Sequence, residues 1–240
     1  MNQSFREIAI LKLNNSTALS SRFTAHPSRT LRIYEAFVLS KEVRFRYYGC
    51  MAKQTPPVIK RTLVLTEEIS VENFLVNFFD YEYFHSLCRQ CPRYGQTWSC
   101  PPFSEDIKLW WQQFAKLRVI AKKLYLRKDL VANLRMEALD SLFSKEKKSL
   151  RRTLHTWEQA IPASRALFAG HCEVCATCAR VSGKVCLKPD KLRPSLEAYG
   201  ADIGKILSDV FAETLVWSDP GELPPYIFIV GGLAIPSGSD

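Results

Sequence analysis

The sequence predicts an α/β or α+β fold, a small mixed sheet with flanking helices that carries two Cys-rich metal-binding loops. Apolar runs near Val58, Leu117, Thr214 and Tyr226 read as strands, and segments of helical periodicity stand between them. Seven of the eight Cys fall into two tight groups, Cys88/Cys91/Cys100 and Cys172/Cys175/Cys178/Cys186. The 240 residues are 47% hydrophobic, enough for one sizeable core or two small ones.

Residues 1–54 read as a poorly defined N-terminal extension, and 55–240 as a single Cys-rich domain. Ser16 to Ser28 is rich in Ser and Thr, and Leu31 to Val43 has apolar positions without a clean period. Thr55-Pro56-Pro57 punctuates the chain. Val58 to Thr66 follows as a strand, which Glu67-Glu68 is expected to end. Ser70 then caps a helix whose inner face is Val71, Phe74, Leu75 and Phe78. A second helix is expected to be capped by Ser104, with Glu105 and Asp106 in its first turn and Ile107, Trp110, Trp111 and Phe114 on its apolar side. Leu117 to Leu126 is a strand.

Asp129 to about Gln159 reads as the longest helix. Its stripe is Leu130, Leu134, Ala138, Leu142, Leu150, Leu154 and Trp157, and Lys145, Lys147, Lys148, Arg151 and Arg152 form a solvated basic face. Ser164 to Phe168 is a short apolar piece that leads through Gly170 into the second Cys group. Lys191 to Gly200 is expected to be a short helix with Pro194 in its first turn. Asp202 caps another, with Ile203, Ile206, Leu207, Val210 and Phe211 inside. Thr214 to Trp217 and Tyr226 to Val230 complete the strands.

The Cys spacing points to metal. Cys172, Cys175 and Cys178 stand three residues apart, with Cys186 further on. One short turn of chain can then offer three sulfurs to a compact inorganic cube, the opening spacing of bacterial ferredoxins. Zinc sites more often use two separated C-x2-C knuckles. One or two [4Fe–4S] clusters are therefore the expected cofactor, and Zn2+ the alternative. The second group has four thiols and can close a centre by itself. The first has three, in a loop shaped by Pro92, Gly95, Pro101 and Pro102. Its fourth ligand is open among Cys50, His85, His171 and solvent. Ligands can also cross between the groups, as in two-cluster ferredoxins. Arg89 and Arg93 can neutralise an anionic centre, and Tyr94 and Trp98 can shield it. Glu197 reads as a buried partner for Arg193 or for a backbone amide, or as a general acid.

These residues resemble a family of predicted metal-binding proteins known as domain of unknown function 2284. The first motif is Cys88, Cys91, Tyr94, Gly95, Trp98, Cys100, Pro101 and Pro102. The second is Gly170, Cys172, Cys175, Cys178 and Cys186, followed by Arg193, Ser195, Glu197, Ala198 and Gly200. The likeness spans roughly Val58 to Ile235. It implies metal binding and a prokaryotic setting, and leaves the reaction open.

Two classes of function follow. One is an iron–sulfur protein with a redox or small-molecule-transforming role, and thus an oxidoreductase, served by an electron carrier or a small-molecule substrate. The other is a zinc-braced structural or regulatory module without catalysis. The formal charge of +9 raises a nucleic-acid partner. Two four-iron centres of about −2 each would cut that to roughly +5, so nucleic acid is not expected. No membrane role is expected either, since every apolar run falls short of the ~18 residues a bilayer needs. The start at Met1 has no basic and apolar leader, so a cytoplasmic setting with reduced thiols is expected.

Overall fold

The computed structural model describes residues 32–39, 42–49, 58–127, 136–216 and 224–238. The chain forms two compact units, Met1–Pro56 and Pro57–Asp240. In the first, strands β1 (Arg32–Leu39) and β2 (Glu42–Gly49) pair antiparallel, from Arg32 opposite Gly49 to Leu39 opposite Glu42. The sequence offered no clean period there.

The second unit is built on a four-stranded sheet of order β3-β4-β6-β5. The strands are β3 (Ile59–Ser70), β4 (Lys116–Leu126), β5 (Arg165–Leu167) and β6 (Tyr226–Ile235). Every ladder in it is antiparallel. Helices α1 (Val71–Asn77), α2 (Tyr81–Arg89), α3 (Ile107–Trp111), α4 (Met136–Ala160) and α5 (Ile203–Phe211) surround it. Both faces of the sheet are covered, because successive residues of β4 point to opposite sides. Val119 and Ala121 join a core with Phe74, Trp111 and Ile206. Ile120 and Leu124 meet Leu150 and Leu154 of α4. Gly231 lets α4 approach β6, since a Cβ there would stand 2.7 Å from Leu154 Cδ1 and 2.9 Å from the Leu167 carbonyl.

Charged residues in the sheet are met by partners from other elements. Strand β3 does not stop at Glu67 but runs on to Ser70, because Glu68 lies opposite Arg118 and accepts from its guanidinium at 2.6 and 2.8 Å. Lys122 and Lys123, buried on opposite faces of β4, reach Glu146 at 2.6 Å and Glu213 at 2.5 Å.

Several expected boundaries move. Asp106, not Ser104, caps α3, accepting from the Leu109 N–H at 3.0 Å. The long helix is described from Met136, and Asp129 lies outside the described residues, as do Pro56 and Pro57. Helix α2 has no counterpart in the sequence reading. Lys191 to Gly200 is not one helix. Two 3-10 turns, Pro189–Lys191 and Glu197–Tyr199, flank an extended piece in which the Pro194 carbonyl accepts from the Phe168 N–H at 2.7 Å. Residues 214–216 form no strand; the Thr214 carbonyl instead accepts from the Tyr226 hydroxyl at 2.8 Å, and Trp217 lies outside the described residues. Among the described residues, no helix is long and apolar enough to cross a membrane.

Candidate metal centre

The first Cys loop is a chain of tight turns leaving α2. The Cys91 N–H donates to the Cys88 carbonyl at 3.0 Å, and the Tyr94 N–H to that of Cys91 at 3.0 Å. Gly95 turns with φ +67° and donates to the Pro101 carbonyl at 2.8 Å, folding the loop back on itself. Buried Thr97 and Ser99 lie beneath, their hydroxyls 3.2 Å apart.

The second loop enters through Gly170 and locks onto the first. The Cys172 N–H donates to Ser99 Oγ at 2.8 Å. Arg180 donates to the carbonyls of Thr97, Cys100 and Pro102 at 2.8, 2.6 and 2.8 Å, and its guanidinium lies 4.9 Å from the Trp98 ring centre. In return the Trp98 indole donates to the Lys184 carbonyl at 3.0 Å. The two loops are therefore one interlocked structure. Arg180 and Ser99 were not singled out in the sequence.

Cys172, Cys175, Cys178 and Cys186 line a single cavity of about 20 Å³, walled otherwise mostly by apolar side chains such as Trp98, Val174, Leu187 and Leu192, with Lys188 the one charged residue of the lining. That is room for about one water or ion. Four soft sulfurs in an apolar shell fit a thiolate-seeking metal, and a whole iron–sulfur cube would require the loop to widen. Among the described residues, no three His, Cys, Asp or Glu side chains converge closely enough for one ion. A tetrahedral zinc would hold its sulfurs about 3.8 Å apart. All seven described cysteines are free thiols, Cys91 exposed and the others half-buried.

Electrostatics groups the thiols in the same way. Burial pushes Cys88 up to about 11, with further contributions from Cys100, Cys91 and Glu197. Burial also raises Cys172, against the Val174 N–H and Arg151, while Cys186 and Cys175 add to the rise. Both thiols are therefore neutral in the metal-free protein, and binding a metal must displace protons.

The basic face of α4 is not uniformly solvated. Lys145, Lys148 and Arg152 are exposed, but Lys147 and Arg151 are half-buried and turn toward the Cys loops. Lys147 Nζ would stand 3.5 Å from a Cβ at Gly170. Arg151 lies over Phe168 and 3.9 Å from Glu173. With Arg93 they surround His171, whose pKa is lowered by burial first and by these cations next, against Glu173.

The other candidates fall as follows. His85 Nε2 is 3.2 Å from the Tyr94 hydroxyl, and its ring stacks on Tyr81. Arg89 and Arg93 are exposed. Cys50 lies outside the described residues. Glu197 is not the partner of Arg193, which makes a two-pronged pair with Glu158 at 2.7 and 2.9 Å. A wider cavity of about 470 Å³ adjoins the thiol cavity, sharing Trp98 and Leu192 with it. Phe103, Trp110 and Tyr199 give it aromatic walls, and Arg165 and Asp190 give it charge. Its size is that of a small-molecule site.

The comparisons bear on the same residues. A family model described as "Predicted metal-binding protein" matches residues 78–226, a span holding both Cys groups and the turn at Glu197. No curated protein and no solved structure matches the chain.

Proposed function

We propose that this chain, which belongs to the DUF2284 family of predicted metal-binding proteins, is an iron–sulfur protein. In this reading Cys172, Cys175, Cys178 and Cys186 hold one [4Fe–4S] centre, and Cys88, Cys91 and Cys100 hold a second. The observation that carries it is the gathering of four thiols around one apolar cavity. The C-x2-C-x2-C opening favours a cluster over a single ion. When bound, such a centre accepts or donates single electrons, and an iron with an open position also acts as a Lewis acid.

The residues around it have separable duties. Trp98 closes the thiol cavity and also walls the 470 Å³ cavity, so a small molecule there lies one side chain away from the thiols. Leu192 and Val174 give the thiol cavity apolar walls. Arg151 and Lys147 place positive charge beside thiols that must become anionic. This supports a redox or small-molecule-transforming role with a small substrate or an electron carrier as partner. A reducing compartment such as the cytoplasm suits seven free thiols.

The cavity's volume, close to that of one ion, favours a second reading: a zinc-braced module without redox chemistry. Elemental analysis of protein isolated without oxygen separates the two. The first reading requires iron and acid-labile sulfide with broad visible absorbance. A colourless protein with stoichiometric zinc would replace it by the second.

A further inference from the structure

We propose that the cavity of about 470 Å³ binds a small zwitterion with a ring-bearing side chain, an aromatic α-amino acid or a close analogue. The inference deepens the small-substrate half of the reading above, by naming the class of that substrate.

The charges lining this cavity are of both signs and are not spent on one another. Arg165, Arg193, Glu105 and Asp190 all reach it. Arg193 is already committed. Its Nε and Nη2 donate to Glu158 at 2.7 and 2.9 Å, and its Nη1 donates to the Leu192 carbonyl at 2.6 Å. Glu105 accepts from the Tyr199 hydroxyl through Oε1, which leaves Oε2 for a ligand. The side chains of Arg165 and Asp190 make no hydrogen bond or ion pair among the described residues. Arg165, Glu105 and Asp190 are exposed, so a ligand can reach them.

The two signs stand apart. Arg165 lies on β5, the edge strand of the sheet. The next residue, Ala166, donates its N–H to the same Glu158 that holds Arg193, so both arginines share one side of the cavity. Glu105 is tied to the aromatic side through Tyr199. A lone anion drawn to Arg165 would be repelled by Glu105 and Asp190, and a lone cation would meet the reverse. A molecule carrying both charges satisfies both sets, its carboxylate on the Arg165 guanidinium and its ammonium on the two carboxylates.

The remaining lining is apolar, and its rings are held in place. Tyr199 is buried, packed edge-on against Trp110 and Phe103 with ring centres 4.7 and 5.1 Å away. Its carbonyl accepts from the Trp111 indole at 2.9 Å. Trp98 is fixed by its bond to the Lys184 carbonyl and by Arg180 over its ring. A wall that is already ordered loses little freedom when a ligand arrives. Trp98, Phe103 and Trp110 are half-exposed, and they offer a ligand ring offset-stacked or edge-to-face partners.

The test is titration calorimetry on the full chain as isolated without oxygen, with three matched probes. These are phenylalanine, 3-phenylpropionate, which lacks the ammonium, and phenethylamine, which lacks the carboxylate. Phenylalanine should bind saturably, and about ten-fold or more tighter than either of the others. Arg165→Gln should reduce phenylalanine to the level of phenethylamine and leave phenethylamine itself unchanged. Glu105→Gln, which keeps an acceptor for Tyr199, combined with Asp190→Asn should reduce it to the level of 3-phenylpropionate. The assignment is overturned if phenylalanine does not bind saturably, if removing either charge makes no difference, or if the substitutions leave its affinity intact. Should the variants not fold, the three probes on the wild-type chain decide alone. Iron, zinc and labile sulfide are counted on the same samples. A failure of binding in metal-loaded protein leaves the metal reading standing, and binding in a chain found without metal sustains this inference against the loss of the other.

Discussion

Removing Arg180 tests whether the two Cys loops are one cooperative unit. Its guanidinium holds three carbonyls of the first loop, at 2.6 to 2.8 Å, from a position in the second. A hydrogen bond to a charged group contributes about 1.5–3 kcal/mol, and the stacking on Trp98 about 0.5–1 kcal/mol. Arg180 is only half-buried, so water replaces much of what Ala would lose. A net loss of about 2 kcal/mol in the local opening of the loops is the expected size for Arg180→Ala, or roughly thirty-fold in an opening equilibrium. Hydrogen exchange reads this directly. The amides of Gly95 and Cys172, bonded to the Pro101 carbonyl and Ser99 Oγ, should exchange about thirty times faster in the metal-free variant. Amides of the β4–β6 ladder around Ala121 and Val230 should not change, because they open with the core. Unchanged exchange at both loop amides would mean the loops stand independently, and the interlock would be only a set of contacts.

Two further outcomes follow from the same geometry. Gly200→Ala should cost about 2–4 kcal/mol in chemical denaturation, combining a left-handed alanine with a clash against Phe79 and the Tyr81 backbone; a loss under about 1 kcal/mol would show that α2 and the turn part easily. In metal-free protein Cys88 should resist alkylation at pH 8, with about 100-fold less thiolate than an ordinary cysteine, and its rate should climb to a midpoint near 11; a midpoint near 9 would mean that its burial and anionic neighbours do not act on it.

What the sequence made legible was local. Strand Lys116–Leu126 was readable because its apolar residues run unbroken enough to be buried on both faces. Helix α5 was readable from Asp202 and its apolar stripe, and Asp202 does accept from the Lys205 N–H at 2.9 Å. Helix α2 was not, although Tyr81, Phe84 and Cys88 recur at helical spacing, because polar and charged residues stand between them and none of its residues is fully buried. The length of β3 was hidden because Glu68 depends on Arg118, fifty positions away. In the site, the Cys spacing marked the loops but not their joining. Arg180, Arg89 and Arg93 look alike as letters. Only the first finds a set of inward-facing carbonyls, because the turns from Thr97 to Pro102 present them together.

The basic excess of the chain takes on a local meaning from this arrangement. In the metal-free state burial keeps Cys88 and Cys172 protonated. Ligation turns such thiols into anions inside a partly dry shell, a change that bare desolvation would oppose. The inward row of α4 offsets that cost. Arg151 acts on Cys172, and Lys147 acts on Glu197 and stands beside Gly170. Lys147 and Arg151 are one helical turn apart, so a single helix sets both beside the second loop. The same helix buries Leu150 and Leu154 against the sheet. Sheet packing therefore fixes where the positive charge stands, and the charge lowers the cost of making thiolates there. Part of what looks in the sequence like a surface for an outside partner is thus turned inward, toward the sulfurs.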